Sequence, residues 1–154
     1  MEIADFLRAE AVLTLPNAAS KKRLLQAISE KLADESGVDE TSILNALQER
    51  ELLGATGMGR GIAVPHARMA SATQVVGVFV RLVEAVDFDS IDRQQVDLVF
   101  GLLAPEDAGS DHLKALARVS RTLRNDLVCQ KLRSTDDPSA LFAILTEPAA
   151  SKAA

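Results

Sequence analysis

Histidine is scarce in this chain: His66 and His112 are the only two among 154 residues. A neutral imidazole nitrogen can attack a phosphoryl group and hold it as a phosphoramidate. Such a transfer asks the protein for alignment, and for cationic or N–H-donating groups around three equatorial oxygens. The stretch GATGMGRGIAVPHAR, residues 54–68, supplies both kinds of group and carries four of the chain's eight glycines. Glycine at that density can turn backbone N–H groups into a nest that binds an anion. Arg50, Arg60 and Arg68 stand nearby, and Thr56 offers a hydroxyl. His112 follows the apolar run 96–103 and falls in the first turn of the next expected helix. Free N–H groups at that position favour anions. His66 follows the short apolar segment 62–64. Sites in open α/β sheets gather at the carboxyl edge of the strands, where the two histidines could meet.

Other chemistries fit less well. Glycines at 57, 59 and 61 give G-x-G-x-G, whereas the dinucleotide fingerprint needs G-x-G-x-x-G between a strand and a helix. No Gly-Lys-Ser/Thr of a Walker loop and no G-x-S-x-G elbow occurs. Two histidines and one cysteine leave too few ligands at any recognised metal spacing. No cofactor or metal is expected. On the residues alone, plainer readings stand beside the phosphoryl one. His66 can be an ordinary loop residue, His112 a solvated first-turn residue, and the glycines mere turns. Arg60 and Arg68 read equally well as solvated charges, and Arg50 as a helix C-terminal cation.

Composition narrows the class. Hydrophobic residues make up 47% and charged residues 25%, the balance of a soluble globular domain with room for a core. A net charge of −5 with no Trp or Tyr argues against nucleic-acid binding, which wants a basic surface and stacking platforms. No apolar run is long enough to span a bilayer, and the start MEIADFLRAEAVLTLP lacks the basic and apolar regions of a signal peptide. A cytoplasmic location without membrane insertion is the expectation. Cys129, alone in DLVCQKL, reads as a small buried thiol.

The elements that must position the histidines are legible in outline. After a short amphipathic opening, residues 11–15 (AVLTL) read as a strand closed by Pro16. Ser20 caps a helix over 21–35 with Leu24, Leu25, Ile28 and Leu32 on one face, and Gly37 ends it. Asp39 caps a second helix over 40–52, with Ile43, Leu44 and Leu47 inward. Residues 62–64, 74–82 and 96–103 read as strands, the last two apolar enough to be buried on both faces. Val86, Asp87 and Phe88 suggest an edge strand. From Asp111 the pattern is helical, with Leu113, Leu116, Ala117 and Leu123 expected inward. A further helix spans about 125–133, and the last has Asp137 as cap, Pro138 at its first position and Leu141, Phe142 and Leu145 inward. The tail AASKAA reads as frayed. The expected fold is a single-domain α/β sandwich over 1–154, with its core at about 7–145 and a mixed central sheet flanked by helices.

RELLGATGMGRGIAVPHAR, residues 50–68, resembles the active-site signature of enzyme IIA domains of the mannitol/fructose class in the bacterial phosphotransferase system. It is most similar to the stand-alone nitrogen-regulatory branch. VGVFVRL, VDLVFGLLAPE and DHLKALARVSRTLRNDLVCQKLRS continue the likeness. The resemblance implies that His66 is phosphorylated by a histidine phosphocarrier protein, that His112 helps position it, and that Arg50 clamps the phosphate. It implies a supporting place beside the site for Thr56 and Gly57. It further implies regulated targets such as potassium transporters or sensor kinases. Alternatives within its scope are a sugar-permease component that passes phosphoryl to an enzyme IIB, and a binding module that carries no phosphoryl group. No fused IIB or membrane segment is read here, which favours the regulatory branch. Two positions depart from the pattern: Ala55 stands where serine is usual, and Ala67 where glycine commonly follows the histidine.

Overall fold

A computed structural model describes residues 1–148. The tail expected to fray, 149–154, lies outside the described residues. The chain opens with two 3-10 turns, Ile3–Asp5 and Ala9–Ala11, and enters strand β1, Val12–Leu15. Helices α1, Lys21–Ser36, and α2, Glu40–Leu52, follow. Three short strands come next, β2 at Gly57–Gly59, β3 at Ile62–Ala63 and β4 at His66–Met69. Two long strands, β5 at Val76–Val86 and β6 at Val96–Pro105, form the centre. Helices α3, Asp111–Arg124, α4, Asp126–Arg133, and α5, Pro138–Leu145, complete the chain.

The helix boundaries have local causes. The Ser20 side chain accepts the Arg23 N–H at 3.1 Å, and Gly37 closes α1 at φ 76°, a conformation glycine adopts without steric cost. Asp39 and Asp137 likewise cap α2 and α5 through Ser42 N–H and Ser139 N–H. The expected stripe of Leu24, Leu25, Ile28 and Leu32 is buried, while Leu44 of α2 is only partly covered.

The six strands form one mixed sheet in the order β1-β5-β6-β3-β2, with β4 also paired to β6. β5 and β6 run antiparallel, while β1 joins β5, and β3 and β4 join β6, in parallel. Burial on both faces explains the almost unbroken apolar run of β6. One face at Gly101 meets α1 so closely that an added Cβ would stand 2.7 Å from Ile28 Cγ2. At Gly77 the space a side chain would take is filled by Phe100 of the neighbouring β6 and by Phe6.

Three expectations change. Val86 ends β5 opposite Val96, and Asp87 and Phe88 lie in the following loop. Phe88 is fully buried beneath the Lys21 ammonium. Helix α3 is also turned from its expected orientation. Its buried stripe is His112, Ala115, Arg118, Val119, Thr122 and Leu123. Leu113 is 61% exposed, Ala117 is exposed and Leu116 half-buried. Ala115, Val119 and Leu123, spaced i, i+4, i+8, form the apolar row that is buried, and two polar contacts lie on the same side: Arg68 bonds His112, and Glu2 pairs with Arg118. The third change concerns the glycines. Gly57–Gly59 is strand β2, hairpinned onto β3 through Arg60 and Gly61 at φ 56° and 82°, the left-handed pair of a type I′ turn.

Candidate functional site

His66 is the first residue of β4, opposite Leu102 of β6, rather than a loop residue. Pro65 breaks the chain between β3 and β4 but lets both pair with β6. In a strand, alternate side chains share a face. Ala67 is therefore buried, and His66 and Arg68 point to the other, more open side. His112 occupies the first turn of α3, after the carboxyl end of β6. The two imidazoles meet edge to face, their centroids 5.6 Å apart.

Each ring has one nitrogen committed. His66 Nδ1 lies 2.8 Å from the Val64 carbonyl oxygen. A carbonyl only accepts, so Nδ1 carries the proton of the neutral ring and Nε2 keeps its lone pair. Arg68 Nε lies 2.6 Å from His112 Nδ1. A guanidinium only donates, so the His112 proton sits on Nε2. That Nε2 is buried and has no hydrogen-bond partner among the described residues. Orphaned buried donors are costly and uncommon, and this one stands beside a histidine with a free lone pair.

Both rings resist protonation. Burial holds His66 below the ordinary value of 6.5, with the Arg50 and Arg68 charges adding to the effect. The Val64 carbonyl and the Glu51 charge pull the other way. Burial, and then the Arg68 and His66 charges, bring His112 down to about 4.

A cavity of about 590 Å³ opens over the pair, and its walls include Arg50, Arg68, Leu53, Leu113 and Leu116. Arg50 reaches it from the last turn of α2, where its Nη1 donates to the Gly54 carbonyl at 3.0 Å. The hairpin residues 57–61 do not line this cavity. Arg60 is spent elsewhere, on the Asp126 carboxylate and the Arg124 carbonyl. Thr56 is bonded to Glu51, and Gly57 packs against Ser90. The sequence alone leaves the role of Arg68 open and gives no signal at Glu51. The two-residue spacing from His66 to Arg68 signals a shared strand face once 66–69 is known to be a strand.

Comparison with known proteins places this chain in a class. The family described as "Phosphoenolpyruvate-dependent sugar phosphotransferase system, EIIA 2" matches residues 5–147, and the chain belongs to it. A nitrogen regulatory protein of Bradyrhizobium diazoefficiens is 44% identical over 153 residues, covering 99% of this chain and 100% of that protein. The crystal structure of nitrogen regulatory protein IIA-Ntr from Neisseria meningitidis superposes with a TM-score of 0.88 at 34% identity, covering 94% of this chain and 99% of that one. The mannitol IIA of Escherichia coli superposes at 0.76 with 25% identity, over 90% and 97% of the two chains. No helix among the described residues is long and apolar enough to cross a membrane.

Proposed function

We propose that His66 Nε2 accepts a phosphoryl group from the phosphohistidine of a histidine phosphocarrier protein. The state of His66 then sets which partner proteins this chain binds, in the manner of a nitrogen- or potassium-related regulator. The observation that carries the reading is the His66 Nδ1–Val64 bond, which frees Nε2 beside the orphaned Nε2–H of His112. In the transfer, one P–N bond forms at His66 Nε2 as the donor's P–N bond breaks. The donor imidazole, protonated on its other nitrogen, leaves as the neutral ring with the electron pair, and no proton has to move. A phosphoryl group on Nε2 gives His112 the acceptor that it lacks, and Arg50 and Arg68 stand on the same cavity wall to offset its charge. The added negative charge on that face is the signal a partner reads.

Incubation with the upstream phosphoryl donors should leave one acid-labile, base-stable phosphoryl group on the chain. Its persistence in His66→Ala would overturn the assignment. The likeness to mannitol IIA supports a second reading, a permease component. Efficient onward transfer to an enzyme IIB, with no phosphorylation-dependent partner, would favour it. Partner binding without any phosphoryl acceptance would point instead to a plain binding module.

A further inference from the structure

We propose that Glu51 is the positioning residue for His66, fixing the ring and its proton through two backbone groups so that Nε2 stays free. The inference rests on His66 being the acceptor. Glu51 lies in the last turn of α2, next to Arg50, and its side chain is only 6% exposed. A carboxylate that deeply covered has to be matched by donors. Lys21 Nζ lies 2.9 Å away, but most of the donors come from a single residue. Thr56 gives its N–H to one carboxylate oxygen at 3.1 Å and its hydroxyl to the other. Two bonds to two oxygens leave Thr56 no freedom to rotate.

The clamp reaches His66 in two further steps. The Thr56 carbonyl accepts the Val64 N–H at 3.0 Å. The Val64 carbonyl accepts from His66 Nδ1 at 2.8 Å. Each intermediate is one residue's backbone, its N–H and its C=O on two planar peptide groups joined at a single Cα, so the path from the Glu51 carboxylate to the imidazole passes through no further side chain. The neighbouring residue closes the same turn, since Arg50 Nη1 donates to the Gly54 carbonyl. Adjacent residues of α2 thus fix the loop at 54 and at 56. Lys21 is held in its turn over the Phe88 ring, 4.5 Å from the centroid. A simple stabilising ion pair would need only Lys21, and would leave Thr56 unclamped.

The test uses the full chain labelled with ¹⁵N-histidine, unphosphorylated, as wild type, Glu51→Gln and Glu51→Ala. Gln keeps the volume but has one carbonyl oxygen for three donors. In the wild type, His66 should show a protonated Nδ1 and an unprotonated Nε2. In the variants, the two tautomers should mix, and phosphoryl acceptance should slow roughly tenfold, the scale on which outer-shell partners of functional histidines act. The KM for the donor protein should not move. A wild-type tautomer with a wild-type acceptance rate in Glu51→Gln would overturn the proposal, even if Glu51→Ala fails to fold. Should the wild type accept no phosphoryl group, the reading of His66 fails, while the tautomer shift still decides Glu51.

Discussion

Arg68 Nε donates to His112 Nδ1 across 2.6 Å, joining β4 to the first turn of α3. That bond selects the His112 tautomer whose proton lies on Nε2, so a residue two places from His66 decides what the other histidine can offer. Removing it should release His112 to either tautomer. Arg68→Ala should mix the His112 ¹⁵N signals and slow phosphoryl acceptance roughly tenfold. His112→Ala should cost more, about a hundredfold, the usual loss on removing one donor from developing charge. Rapid-quench transfer assays separate the two, and equal rates in all three proteins would refute this role.

The site should keep working into mild acid. Burial holds His66 below its ordinary 6.5, so most of the protein carries the neutral nucleophile at that pH. The acceptance rate measured on the free protein should fall to half its maximum only below pH 6.5. A half-maximal rate already at pH 6.5 would contradict the burial argument.

Folding stability should also fall as the pH drops, through His112. The folded state keeps His112 neutral down to about 4, against an ordinary value of 6.5. Between those values the unfolded chain binds the proton more readily, so acid favours unfolding. The contribution is absent above the ordinary value, grows as the pH falls, and levels off near pH 4. Urea titrations at several pH values should show a weaker slope for His112→Gln than for the wild type.

The leucines around the cavity should serve the donor protein. Leu53 is 84% exposed and Leu113 61% exposed, and both stand on the cavity wall with His66. Exposed apolar groups grouped at a site mark a docking face. Leu53→Ser and Leu113→Ser should each raise the KM for the phosphoryl donor about tenfold, with little change in kcat. An unchanged KM would place docking elsewhere.

Gly57 should matter for packing. A Cβ there would stand 3.2 Å from the Ser90 backbone Cα and nearer still to its side chain. Gly57→Ala should lower stability by about 1–3 kcal/mol, as overpacking does, measurable by denaturant unfolding.

Local chemistry made much of the fold readable. Ser20, Gly37, Asp39 and the Asp137-Pro138 pair mark helix ends by bonds made within a few residues. β5 and β6 declare themselves as apolar runs because both faces are covered. The signature around His66 resembles a known family, and with it the α/β class was legible. Other features depend on contacts between distant segments, which carry no local pattern. Helix α3 buries the row Ala115, Val119 and Leu123 together with His112 and Arg118, which meet Arg68 and Glu2, and leaves Leu113 outward. The helix offers a competing leucine row at 113 and 116, and the local pattern does not choose between the two. The glycines announce a bend, but only the hairpin shows that it is tied to Asp92 and Asp126 and lies off the His66 cavity wall. The sequence by itself singles out His66. The free nitrogen of His66 is set by a backbone carbonyl only two residues back, at Val64, a contact no residue type announces; the tertiary structure decides the His112 proton, because the Arg68 guanidinium comes from a segment 44 residues away.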